Sequence, residues 1–160
     1  MNLTSICVAV AMQLASMSGL NQTQTERLIL SQDPDVVNAR EIADAIDEET
    51  RTFEPIFRND PNLTKVRRLL VKTMKEESNF VRTALGDSGR SKCLLQVWGA
   101  PESTLTDVRA CVRAGLVILK WSVKSCPQYP VAGYASGMVG CRSEVAQRIS
   151  NRRMAFAEGR

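Results

Sequence analysis

The chain has 160 residues, 44% apolar and 24% charged, enough for one domain with a buried core and too few for two comfortable ones. It has no histidine, so a Ser-His-Asp or Cys-His mechanism has no imidazole to take the nucleophile's proton, and the commonest catalytic zinc ligand is missing too. The balance of 21 basic and 17 acidic residues gives +4, a mild bias toward anionic surroundings. The basic residues are scattered, as in KVRR at 65–68 and NRRM at 151–154, and two Trp, two Tyr and four Phe are few for stacking bases, so no nucleic-acid partner is expected.

The N-terminal stretch MNLTSICVAVAMQLASMSGLNQ carries an apolar run from Ile6 to Leu14 with small residues after it. It resembles the middle and end of a secretory signal, although no Lys or Arg precedes it; a short buried helix or an arm is the alternative. The run is too short to span a bilayer, and no membrane span is expected. Residues 1–34 are therefore set apart as an N-terminal segment from a domain at 35–160.

The cysteines stand at 7, 93, 111, 126 and 141, with no C-x-x-C pair, and neither a metal site nor a cofactor is expected. If the first ~20 residues were removed as a signal, Cys7 would go with them and leave four, an even set for two disulfides in an oxidising compartment. The pairing is not legible from sequence, and four buried thiols are the alternative.

Most of the chain reads as helix. DPDVVNAREIADAIDEETRTFEPIF offers Asp33 or Asp35 as caps and repeats apolar residues at Val37, Ile42, Ile46 and Phe53, with Pro55 ending or kinking the helix. DPNLTKVRRLLVKTMKEESNF is a second helix, entered at Asn62 or Thr64. TDVRACVRAGLVILKWSVKSC is a third, with Val108, Cys111, Val112, Leu116, Leu119 and Val123 as its buried stripe and Pro127 as its stop. RSEVAQRISNRRMAFA makes a last helix with Val145, Ile149 and Met154 on one side. Between helices two and three, residues 83–101 hold the glycines and serines and LLQVW, which suits a short strand or hairpin. The expected fold is mainly α, or α+β with helices dominating.

At 100° per residue, Val66 and Leu70 fall within about 20° of Glu77 on the second helix, Leu63 and Thr73 within about 40°, and Met74 within about 60°. Glu77 thus lies in the middle of an apolar stripe. A carboxylate aimed at a core must find donors or keep its proton to higher pH, and a kept proton is what a general acid needs. A helix-end carboxylate reaching the surface is the plainer alternative. Glu76 lies about 100° away, one turn beyond Lys72, where an exposed i,i+4 pair suffices and Glu76→Gln is expected to be nearly silent.

The loop GDSG, Gly86 to Gly89, looks like the serine loop of trypsin-like proteases, but without histidine Ser88 has no activating base. A different resemblance covers more of the chain. Glu77-Ser78 with Phe80, then GDSGRSKCLLQ with Ser91 through Gln96, then GYASG with Tyr134 to Gly137, resemble in order the motifs of soluble lytic transglycosylases and goose-type lysozymes. The motif region spans 77–137 and, with its flanking helices, about 36–157. Two departures stand out. Cys93 occupies the place of Gly in the family's Gly-Leu-Met-Gln turn, and Tyr134-Ala135-Ser136-Gly137 lacks the Asn of the Tyr-Asn-Ala-Gly motif.

The resemblance implies a lysozyme-like domain that cleaves the β-1,4 bond between N-acetylmuramic acid and N-acetylglucosamine in peptidoglycan. It makes Glu77 the acid, then the base that activates the muramoyl 6-hydroxyl. In a hydrolytic version Asp87 is the candidate second acid; local turn formation is its plainer role. Ser78, Ser91, Gln96 and Tyr134 are the implied substrate-binding residues: Ser78 toward Glu77 or substrate, Gln96 toward an acetamido group, Tyr134 steadying the glutamate. Peptidoglycan strands are the implied partner, at the periplasm, cell envelope or cell exterior. The owner is a bacterium or a phage, and a larger envelope or phage assembly is a further partner. A glycan-binding or structural module that keeps the fold without catalysis is the competing class.

Overall fold

The computed structural model describes residues 19–160, and the signal-like run with Cys7 lies outside them. Among the described residues there are six helices and a small three-stranded sheet, in agreement with the mainly helical expectation. Helix α1, Gln22–Gln32, opens with a capping box: Asn21 Oδ1 accepts from the Gln24 amide at 3.0 Å, and Gln24 Oε1 accepts from the Asn21 amide at 2.9 Å. The sequence reading assigned no element there. α1 buries Thr25 and Ile29 against α2, Ala39–Thr52.

α2 differs from expectation at its entry. Its N-cap is Asn38, Val37 precedes the helix at 95% exposure, and Asp33 ends α1, where it accepts from Lys75 Nζ at 3.0 Å. Ile42 and Ile46 face the core as the period requires, and the helix stops before Pro55.

α3, Thr64–Ser78, starts at Thr64, one of the two expected entries. Its cap comes from outside the terminus: the Asp60 carboxylate accepts from the amides of Lys65 and Val66 at 3.0 and 2.9 Å. The helix ends in a left-handed turn, with Asn79 at φ 51° and Phe80 at φ 61°, the Asn79 amide closing on Lys75 and the Phe80 amide on Met74.

Strands β1 Leu85–Gly86, β2 Ser91–Lys92 and β3 Val97–Trp98 form an antiparallel meander within the expected hairpin region. α4, Val108–Ser125, is capped by Asp107, whose carboxylate accepts from the amides of Arg109 and Ala110. Val108, Cys111, Val112, Leu116 and Leu119 of its expected stripe are buried, and Val123 is half-buried. A short α5, Ala132–Ser136, and a 3-10 turn at Gly137–Arg142 lead to α6, Glu144–Ala157.

The core gathers Ile42 and Ile46 of α2, Leu69, Leu70 and Met74 of α3, Leu116 of α4, and Leu94 and Leu95 of the β2–β3 turn. Two disulfides join the loop regions to α4: Cys93 to Cys111, with Cα atoms 6.1 Å apart, and Cys126 to Cys141, at 5.3 Å. The first fastens the β2–β3 turn to the start of α4. The second closes the segment that carries α5.

α6 departs most from expectation. Val145 is 57% exposed, Ile149 is half-buried, and the buried face is Ala146, Ser150, Arg153, Met154 and Ala157. Small side chains bring α6 close to α3, and the long residue on that face is an arginine with acids to meet.

Among the described residues no helix is long and apolar enough to cross a membrane, and no group of three or more His, Cys, Asp or Glu is placed to hold a metal ion.

Candidate active site

A cleft of about 570 Å³ lies between the end of α3, the sheet, α4 and α5. Glu77, Asp87, Ser91, Gln96 and Tyr134 all line it, so five of the six candidate residues, from five separate segments of the chain, share one cavity. Ser78 does not: its hydroxyl donates to the Leu94 carbonyl at 2.8 Å and back to Met74 at 3.1 Å, tying the helix end to the turn.

Glu77 finds the donor that its place on the apolar stripe demanded. Arg153, 3% exposed on α6, donates from Nη2 to Glu77 Oε1 at 2.7 Å and from Nε to Glu76 Oε2 at 2.9 Å. Glu77 Oε2 accepts no hydrogen bond from the described residues, and the side chain keeps 26% exposure toward the cleft.

Glu76 corrects the expectation of an exposed, dispensable pair. Its side chain is 15% exposed and meets Lys72 at 3.1 Å, Arg152 at 2.9 Å and Arg153 at 2.9 Å. Burial pushes its carboxyl up, but the hydrogen bonds from Arg152, Arg153 and Lys72 outweigh burial and hold it at about 2. Among the described residues Arg153 Nη1 is buried without a hydrogen-bond partner, and the two glutamates are the acceptors that hold the arginine. Sequence reasoning passed over Arg153 as scattered surface charge. The usable signal was its place at i+7 from Ala146 and i+3 from Ser150, a small-residue helix face with one arginine on it.

The opposite wall is made by turns. Asp87, Ser88 and Gly89 are successive left-handed residues, at φ 50°, 57° and 85°, which turn the chain sharply between β1 and β2. Asp87 is exposed, and its carboxylate accepts from the Ser91 hydroxyl rather than from the backbone of its own turn, the partner expected of a turn-building aspartate. Ser88 is exposed and is absent from the cleft lining.

Cys93, at φ 67°, takes the backbone conformation that glycine would favour in its place, and its disulfide to Cys111 holds it there. Gln96, at φ 48°, donates from its amide nitrogen to the carbonyls of Ala84 and Cys93, both at 2.9 Å. Its amide nitrogen is therefore occupied, and Oε1 is the group left for a ligand. Oε1 lies where a Cβ on Gly86 would come within 2.3 Å, so a larger residue at 86 would push the Gln96 amide out of this position.

Tyr134 donates its hydroxyl to the Leu95 carbonyl at 2.6 Å and not to Glu77. Burial, and secondarily the Glu77 charge, push its phenol above the ordinary tyrosine range, so it stays neutral and steadies the turn. Its amide donates to Ser122 Oγ at 2.9 Å, which seats α5 on α4.

No family model matches this chain, and no curated protein and no solved structure matches it. What the cleft can do therefore rests on its own residues. Two tryptophans, Trp98 of β3 and Trp121 of α4, also line it, and Lys and Arg are absent from the lining. The cleft offers two carboxylates, an amide oxygen and aromatic surface to a ligand, which suits a neutral molecule rich in hydroxyl and amide donors.

Proposed function

We infer that this protein is a peptidoglycan-cleaving glycosidase, a lytic transglycosylase with Glu77 as its one catalytic carboxylate. The observation that carries this reading is the convergence of Glu77, Asp87, Ser91, Gln96 and Tyr134 on one cleft, with Glu77 held at the helix end by a buried arginine. In the reaction, Glu77 Oε2 delivers a proton to the oxygen that links C1 of N-acetylmuramic acid to the next N-acetylglucosamine. The C1–O bond breaks as positive charge builds on the muramoyl ring. The same carboxylate then takes the proton of the muramoyl 6-hydroxyl, whose oxygen bonds to C1 and leaves a 1,6-anhydro end. Arg153 fixes the rotamer through Oε1 and leaves Oε2 without a hydrogen bond from the described residues. Asp87 on the facing loop gives the hydrolytic alternative, in which water replaces the 6-hydroxyl and a reducing end results. Two disulfides fit an oxidising compartment, and wall glycan is met in the periplasm, in the envelope or outside the cell.

One observation favours a second reading. The ion pair of Glu77 Oε1 with Arg153 is also what a carboxylate kept only for binding would make, so a glycan-binding module in an envelope or phage assembly is the alternative. Incubation with purified cell walls separates them. Glu77→Gln is expected to slow wall clearing by about two to four orders of magnitude, the range of a lost general acid. Mass spectrometry of the products assigns the chemistry: anhydro ends for transglycosylation, reducing ends for hydrolysis. Wall binding without product release from the unaltered protein would establish the binding module.

A further inference from the structure

We propose that Trp98 is the platform on which an uncharged N-acetylhexosamine ring stacks at the mouth of the Glu77 cleft; this rests on the glycan reading of that cleft. In β3, Val97 is 5% exposed and Trp98 is 68% exposed, so strand alternation sends valine into the core and the indole outward. Trp98 pairs across the ladder with Ser91, which pairs with Gly86, and all three line the cleft. The row therefore runs from the bare Gly86, with Gln96 Oε1 above it, past Ser91 to the indole face.

A tryptophan this exposed leaves a large apolar surface in water, and its place on a cavity wall gives that surface a use. The C–H face of a pyranose is the apolar side of an otherwise polar molecule, and it matches an indole face. The polar groups of the same cleft accept hydrogen bonds: Glu77 and Asp87 through carboxylates, Gln96 through Oε1. They suit sugar hydroxyls and an acetamido N–H. Glu77 is balanced by Arg153, but Asp87 meets no cation among the described residues, so an anionic ring beside it is disfavoured, which selects N-acetylglucosamine over its lactyl-bearing neighbour.

The test is calorimetric titration of the full chain with chitotetraose and chitohexaose, uncharged N-acetylglucosamine oligomers that report binding without requiring cleavage. Trp98→Ala is expected to weaken binding about tenfold, and Trp98→Phe, which keeps an aromatic face, about threefold or less. Because Trp98 packs little, both variants should keep the far-ultraviolet circular dichroism of the parent, and that spectrum is recorded alongside. Unchanged affinity in Trp98→Ala overturns the proposal, as does a parent protein that binds neither oligomer. Failure of the functional reading looks different: a parent that binds chitohexaose through Trp98 yet releases nothing from cell walls loses the glycosidase assignment and keeps the stacking platform.

Discussion

The two walls of the cleft are held by different forces. On the helix side, Glu77 at the end of α3 lines the cleft and is held from behind by a charge network with Glu76 and, from α6, Arg153, all on regular backbone. On the loop side, Asp87, Ser88, Cys93 and Gln96 sit at φ between 48° and 67° with a disulfide and side-chain-to-backbone hydrogen bonds keeping them there. Left-handed conformations cost non-glycine residues on the order of 1–3 kcal/mol each and persist only where the surroundings over-determine them. One wall stores its cost in desolvated charge, the other in backbone conformation. The difference predicts that charge substitutions and pH act on the first wall, and reduction or glycine substitution on the second.

The largest effect belongs to Arg153. Arg153→Met keeps the packing volume but leaves Glu76 and Glu77 without their shared cation, and removing one partner of a buried ion pair costs about 3–5 kcal/mol. Urea unfolding should show that loss. Glu77→Gln, made beside it, should lose activity with a much smaller change in stability, because Glu76 still pairs with Arg153. If Arg153→Met unfolds at the parent's urea midpoint, the helix wall is held by packing and not by charge.

Next is the loop wall's covalent tie. Replacing Cys93 and Cys111 by serine and alanine opens a link between residues 18 apart, and a loop of that size contributes about 3 kcal/mol. Cys93→Gly with Cys111→Ala should recover part of this, since glycine accepts φ 67° without the steric penalty. Equal stability of the two double variants would show that the turn conformation is not under strain.

The helix wall also carries the pH dependence. Glu76 is held at about 2, below its ordinary value of 4.5, so the folded state releases this proton more readily than the unfolded chain. The resulting stability is fully present above pH 4.5 and is lost as pH falls through 2, with a size of roughly 2 kcal/mol after allowance for partial exposure. Glu76→Gln should therefore lower stability at pH 7 by about that amount and flatten its decline between pH 4.5 and 2. Thermal melts across that range measure it.

The legibility of the two walls in the sequence differed in the same way. Helical period placed α3, the stripe of α4 and the side of α3 that carries Glu77, because a wheel needs only spacing, while the entry of α3 stayed open between Asn62 and Thr64. It does not foretell that α6 approaches through Ala146, Ser150 and Ala157, so of the expected side of Val145, Ile149 and Met154 only Met154 is buried, and Arg153 beside it carries no signal in that period. Glu76 was misjudged for the same reason, since two of its three cations come from α6. The loop region was legible as a hairpin from its turn residues. That the Gln96 amide and the Tyr134 hydroxyl serve backbone carbonyls depends on the path of the turn, which no local pattern encodes. α1 is the helix that hydropathy hides: its Asn21–Gln24 capping box is a start signal, but the weakly apolar segment after it offers no stripe to follow.

The smallest predicted effect tests the joint between the walls. Ser78 ends α3, one residue from Glu77, and its hydroxyl donates to Leu94 in the turn that carries Cys93 and Gln96. Ser78→Ala removes one net hydrogen bond and leaves the Leu94 carbonyl short of a donor, a cost of about 1–2 kcal/mol. If the two walls are independent, wall-clearing activity should follow stability and barely change at 25 °C. If the hydroxyl sets the distance between Glu77 and the substrate-facing loop, kcat should fall several-fold while the melting temperature moves only slightly. A misplacement of the acid by a fraction of an ångström weighs on the transition state more than on folding. The second outcome is expected, because this hydrogen bond joins the Glu77 end of α3 directly to the Cys93–Gln96 turn.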